Sequence, residues 1–164
     1  MDTILSTVEE EDRKWLGEAV RLATANVTAG GGPFGAVVVR DGAVIATGTN
    51  QVTPTLDPTA HAEVVAIRAA CQAVGDFRLT GCVLVSSCEP CPLCLSAALW
   101  ARVDRVCYAA DRDDAAAAGF DDREFYTLFG TPRETWPMAV GQLSGVDHVA
   151  PFDAWRAKPD RLAY

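Results

Sequence analysis

His61-Ala62-Glu63 and, thirty residues later, Pro90-Cys91-Pro92-Leu93-Cys94 tie two distant stretches of this chain to a single point. Cys91 and Cys94 are three apart, the spacing that puts two side chains on one face of a helical turn, where both thiolates can grip one ion. They follow Pro90 directly, at the start of a helix. Unpaired N–H groups and the helix dipole there lower a thiol's pKa toward the thiolate. His61 falls at the first turn of another predicted helix. Two helix starts can then face each other across the sheet edge.

His61, Cys91 and Cys94 are three ligands of the kind zinc takes, and three protein ligands leave one tetrahedral position for water. Zinc lowers the pKa of such a water to about 7. Glu63, two residues past the imidazole, is then the group to move protons. A plainer reading of Glu63 is a solvated first-turn glutamate favoured by the helix dipole; its company of one histidine and two cysteines argues against that. Cys88 extends the motif to C-x-x-C-x-x-C. A ferredoxin run would need a cysteine at position 98, which is alanine, but a closed structural zinc site with Cys88 as fourth ligand is an alternative of a different class. Cys71, Cys82 and Cys107 lie in apolar runs and read as buried small hydrophobes. His148 has no partner spacing, and Arg78, Arg102 and Arg105 read as surface charges.

The rest of the chain supplies the frame. Residues 7–29 carry Trp15, Leu16, Ala19, Val20, Ala23 and Val27 at helical spacing, with the acidic run Glu9 to Asp12 suited to the positive helix end. Gly30-Gly31-Gly32-Pro33 stops that helix. GAVVVR (35–40) and AVIATG (43–48), joined by Asp41-Gly42, predict a tight hairpin. A helix over about 59–74, capped by Asp57 or Thr59, leads to the covered strand CVLVSS (82–87). A helix over 91–101, another covered strand in 103–110 and a short helix at Ala115–Ala118 ended by Gly119 follow. Beyond these, a strand near Met138–Leu143 and a helix near Phe152–Lys158 are expected. The alternation predicts an α/β fold with the sheet between helical layers, in one domain spanning 1–164.

Composition narrows the partners. With 49% apolar residues the chain can bury a core, and its formal charge of −8 opposes a phosphate-backbone partner and favours a small neutral substrate. There is no secretory-type apolar stretch and no run of ~20 apolar residues, so neither export nor a membrane partner is expected. Six cysteines without such a leader predict reduced thiols and a cytoplasmic address.

PTAHAEVVAIRAAC (58–71) with SSCEPCPLCLSAALWARVDRVCYAA (86–110) resembles the cytidine deaminase superfamily, whose H-x-E and P-C-x-x-C signature these segments carry. GGPFGAVVV (31–39), AAAAGFDD (115–122) and PFDAWR (151–156) are similar to its small bacterial guanine-deaminating branch. The resemblance implies a three-layer α/β/α sandwich on a five-stranded mixed sheet. It also implies a homodimer in which the C-terminal segment, about 151–164, is swapped to complete the partner's site. One Zn2+ per chain would be held by His61, Cys91 and Cys94, with Glu63 shuttling protons. Asn50 would hydrogen-bond the purine, Phe34 and Trp100 would pack on the base, and Tyr164 would close the pocket from the other subunit. Asp114 would meet the guanine N–H donors or assist proton traffic, with neighbouring Asp113 competing for the role. The activity implied is hydrolysis of guanine to xanthine and ammonia. Cytosine, an amino-triazine such as ammeline, or adenosine in tRNA are the alternative substrates.

Overall fold

The computed structural model describes residues 2–164, with side chains from Glu11 onward. Residues 1–126 form one compact unit and residues 127–164 a second, and each is described by itself. Among the described residues no helix is long and apolar enough to cross a membrane.

The first unit opens with α1 (Asp2–Thr28), followed by the hairpin β1 (Gly35–Arg40) and β2 (Ala43–Thr49). A short helix α2 (Val52–Thr55) precedes α3 (Ala62–Val74); then come β3 (Cys82–Cys88), α4 (Pro92–Trp100), β4 (Arg105–Ala110) and α5 (Arg112–Ala117). Helix α6 (Arg123–Leu128) runs across the boundary between the units. The second unit holds a 3-10 turn (Arg133–Thr135) and α7 (Ala150–Ala157).

The sheet has the order β2-β1-β3-β4, with β1 antiparallel to both β2 and β3 and β3 parallel to β4. Alternation sends Ala36, Val38 and Leu84 to one face, where they meet Ala62, Ala66, Ala70, Ala98 and Ala101 of α3 and α4 and their flanks. Val37, Val39 and Val85 point the other way, against Trp15, Leu16 and Leu22 of α1. Helices on both faces explain why β1 and β3 read as nearly continuous apolar runs. Burying one such Val or Leu is worth about 1.5–3 kcal/mol, so these two layers hold the sheet rigid.

The mixed sheet has four strands rather than the five expected. Met138 to Leu143 pairs with no strand among the described residues, and Met138 and Leu143 are exposed. Apolar content without a partner edge does not make a ladder. The Asp41-Gly42 turn forms as read, both residues at positive φ (51° and 72°). Helix α3 begins at Ala62, later than expected. The Asp57 carboxylate accepts from the N–H and hydroxyl of Thr59 (2.8 and 2.7 Å), closing a turn of its own instead of capping the helix. Helix α1 begins at Asp2, before residue 7. The side chains of Glu9 and Glu10 lie outside those described, and Asp12 is not a helix-end charge. It is buried against β4, ion-paired with Arg105 and accepting from Cys107 Sγ at 3.8 Å.

Gly48 sets how closely β2 approaches α3. A Cβ there would overlap the Ala62 carbonyl oxygen and lie 2.5 Å from the Ala66 nitrogen. Gly48→Ala is expected to cost about 1–3 kcal/mol by overpacking. Because α3 begins beside His61, the same change should reduce zinc content, so thermal melting and metal analysis of the variant check both effects.

Candidate metal centre

Two helix N-termini build the site. His61 occupies the N-cap position of α3 in extended conformation (φ −66°, ψ 153°), and Cys91 occupies that of α4 (φ −66°, ψ 170°) with Pro92 in the first turn. Neither side chain caps its own helix. Each is turned outward, and α3 and α4 share one sheet face through small alanines that allow close approach. Cys94 follows one turn into α4, buried, beneath half-buried His61 and Cys91.

The donor atoms converge. His61 Nδ1 lies 3.5 Å from Cys91 Sγ and 3.4 Å from Cys94 Sγ, and the two sulfurs are 3.6 Å apart. A tetrahedral zinc with Zn–S near 2.3 Å and Zn–N near 2.0 Å spaces its sulfurs by about 3.8 Å and sulfur from nitrogen by about 3.5 Å. The residues therefore fit zinc, and the histidine and thiolate chemistry suits it.

Charge makes the same demand. Cys91 is pulled down to about 4, first by the hydrogen bond from Cys94 and then by His61, while Cys94, donating to that thiolate and partly desolvated, is pushed up. The Cys91 hydrogen bond raises His61. Two sulfurs at this separation share one negative charge unless a cation offsets the second. Glu63 adds a third acidic group. It is 5% exposed; its Oε1 accepts from Ser86 Oγ at 2.8 Å, and its Oε2 lies 3.3 Å from Cys94 Sγ. Burial raises its pKa, against the hydrogen bonds that it accepts.

Cys88 stands outside this group. Its Sγ donates to the Asp111 carbonyl at 3.6 Å, and burial pushes the thiol up to about 11. Among the described residues, the ligand cluster is His61, Cys91 and Cys94 alone.

The other residues singled out in the sequence occupy varied positions. Asn50 follows β2 directly; its N–H donates to the Phe34 carbonyl at 3.0 Å and its Oδ1 accepts from the Val52 N–H at 3.2 Å. Phe34 meets Phe120 edge to face, centroids 5.0 Å apart. Trp100 ends α4, 60% exposed, with the Arg102 guanidinium 5.9 Å from its ring centre. Tyr164 belongs to the second unit, 71% exposed and edge-on to Trp155. Asp114 completes a capping box at the start of α5, accepting from the Asp111 N–H at 3.0 Å, while Asp113 pairs with Arg123 at 2.9 Å. Asp114 also borders a largely apolar cavity of about 600 Å³ between α1 and α5, with Val20, Ala23, Phe34 and Phe120. The metal-ligand residues do not line that cavity.

Sequence reasoning missed Asp122. Its Oδ1 is buried without a hydrogen-bond partner, and its pKa is raised by desolvation and then by the Cys91 charge. Four acids fall between positions 113 and 122, and only space tells them apart: Asp121 turns to Arg123 at 2.7 Å, while Asp122 keeps one buried oxygen without a hydrogen-bond partner. A clamp beside it also escaped notice. Glu89 accepts from the Arg112 backbone N–H and guanidinium (both 3.0 Å), the guanidinium lies 3.7 Å over the Tyr126 ring, and Tyr126 OH donates to the Pro90 carbonyl at 2.6 Å. These contacts fix the peptide that carries Cys91.

Residues 9–110 match the family described as the cytidine and deoxycytidylate deaminase zinc-binding region. A guanine deaminase of Bacillus subtilis is 51% identical over 151 residues, 92% of this chain and 97% of its own. A crystal structure of guanine deaminase from the same species superposes with a TM-score of 0.90 at 50% identity, covering 93% of this chain and 98% of that one. A tRNA-specific adenosine deaminase of Agrobacterium fabrum is 47% identical, but over 78 residues, 48% of this chain and 51% of its own.

The cluster implies that Cys88→Ser retains one zinc per chain and Cys94→Ser loses it. Metal analysis of the two purified variants, with circular dichroism to establish folding, checks the assignment.

Proposed function

Because the chain belongs to the cytidine and deoxycytidylate deaminase zinc-binding family, we propose that it hydrolyses guanine to xanthine and ammonia. The observation that carries the reading is a buried carboxylate, Glu63, with one oxygen 3.3 Å from a ligand sulfur, in a chain alike along nearly its whole length to a guanine deaminase. The −8 balance supports a small neutral base over a polyanion such as tRNA.

His61, Cys91 and Cys94 would hold the metal. Zinc bound there supplies a water acidified to near neutrality and polarised for attack. Every other task falls to the chain. Ser86 engages Glu63 Oε1, which leaves Oε2 to take a proton from the attacking water and deliver it to the ring nitrogen beside C2. As the C2–O bond forms and the C2–N bond breaks, the departing amine needs a proton, since ammonia leaves a tetrahedral carbon poorly otherwise. A carboxyl whose pKa is raised by burial is suited to carry both transfers.

Asn50 offers its amide to the purine edge, and Phe34 and Trp100 offer aromatic surface to its faces. For the second pocket acid we take Asp122 in place of Asp114. The Asp114 carboxylate is occupied at a helix start, whereas Asp122 has an unpartnered buried oxygen and responds to the Cys91 charge.

We further propose a homodimer whose segment 151–164 crosses to the partner and brings Tyr164 to its pocket. Support comes from the aromatic and aliphatic side chains exposed in each unit: Phe152, Leu162 and Tyr164 in the second, Leu99, Trp100 and Tyr108 in the first. Surfaces of that kind mark interaction sites. A reducing cytoplasm suits six cysteines, none in a disulfide.

Two measurements test the chemistry. Glu63→Gln should keep its zinc and lose about 100- to 10,000-fold in turnover; near-normal turnover would remove Glu63 from the mechanism. An ammonia-release panel over guanine, cytosine, adenine, their nucleosides and amino-triazines should respond to guanine above the others. Activity confined to another base would overturn the substrate assignment and leave the metal site standing.

A further inference from the structure

Asn26 is a polar residue of α1, 5% exposed, two residues before the helix ends. An amide buried there costs free energy unless its hydrogen bonds are made. They are made, and none of them with its own helix. Nδ2 donates to the carbonyl of Gly32 and to that of Asn50, both at 2.8 Å, and Oδ1 accepts from Gln51 Nε2 at 3.2 Å. One side chain thus binds two loops that are distant in sequence, the turn 31–34 and the segment leaving β2.

Those loops carry Phe34 and Asn50. The Asn50 peptide is held on both sides, its N–H by the Phe34 carbonyl at 3.0 Å and its carbonyl by Asn26. Its side-chain Oδ1 accepts from the Val52 N–H at 3.2 Å, which fixes how the amide is turned. The glycine run acquires a reason here. Gly30 has positive φ, as a helix-ending residue requires, but Gly31 and Gly32 do not. A Cβ on Gly31 would overlap Asn26 Nδ2 and the Asn50 carbonyl, and one on Gly32 would sit 3.0 Å from Asn50 Oδ1. At Gly31 the amide bridge leaves no room for a side chain, and at Gly32 one would crowd the Asn50 amide.

We infer that Asn26 is a positioning residue for base recognition: through its bonds to the Gly32 and Asn50 carbonyls it holds the Asn50 amide and the Phe34 ring in the one arrangement that accepts the purine. This rests on the reading of the site as a guanine-hydrolysing one. Asn26 does not touch the base. It removes the freedom of the two groups that do, so its loss weakens binding and discrimination more than the proton transfers at Glu63.

Asn26→Asp tests this, since it keeps the shape and replaces both donors with an oxygen. Gly31→Ala attacks the same bonds from the loop side with Asn26 in place. In each zinc-loaded variant, KM for guanine should rise about tenfold or more with a smaller change in kcat. The preference for guanine over 2,6-diaminopurine, which differs at C6 and keeps the C2 amine, should shrink. A merely structural role would lower the melting temperature and leave KM and that preference where they were; this result in both variants overturns the inference. If Asn26→Asp does not fold, Gly31→Ala decides by the same readouts. The unaltered enzyme separates the two levels. Zinc-loaded protein that releases no ammonia from guanine removes the functional reading, and the inference with it. Normal wild-type turnover with unaffected variants removes the inference alone.

Discussion

Two thiols and a carboxyl within hydrogen-bonding distance of one another repel once they ionise, and this fold forces them together all the same. Cys91 Sγ, Cys94 Sγ and Glu63 Oε2 are linked at 3.6 and 3.3 Å, with His61 Nδ1 against both sulfurs. The cluster becomes favourable with a divalent cation at its centre, so the metal site and the local stability of the two helix starts are one problem. What enforces the approach is packing of α3 and α4 on the same face of the sheet. The seam is made of alanines, which set the helices close without steric conflict.

Around that cluster, order is supplied by single buried polar contacts at loop ends. Ser86, fully buried on β3, fixes one oxygen of Glu63 and thereby distinguishes the two. Glu89, Arg112 and Tyr126 lock the Pro90 peptide and hence Cys91. Asn26 performs the comparable task for the turn 31–34 and the segment leaving β2. Each buried polar group is satisfied by another segment of chain, which is how loops acquire the rigidity of the sheet that they extend from. Asp122 is the exception. Its buried oxygen is engaged by no other segment among the described residues.

Much of this was legible in the residues. The hairpin at Asp41-Gly42, the covered strands β1 and β3 and the ligand trio follow from local rules: positive φ at a tight turn, apolar runs for two-sided burial, and three-residue spacing for a shared face. The apolar run of β4 misleads: it reads as another covered strand, yet it lies at the sheet edge with no residue fully buried. Helix starts were less legible. Asp57 looks like a cap for α3 but spends its carboxylate on Thr59, and the choice between those partners depends on a loop path that no short window contains.

The amino-acid sequence by itself determined the layered α/β class and the three candidate donors, and singled out Glu63 beside them, because each depends on residue type and short spacing. Tertiary structure decided which acid among Asp113, Asp114, Asp121 and Asp122 keeps a buried oxygen without a partner, that Cys88 faces a backbone carbonyl rather than the ligand group, that the sheet ends at four strands, and that Asn26 bridges two loops. Those outcomes depend on distances between residues far apart along the chain. Only packing the helices onto the sheet sets such distances.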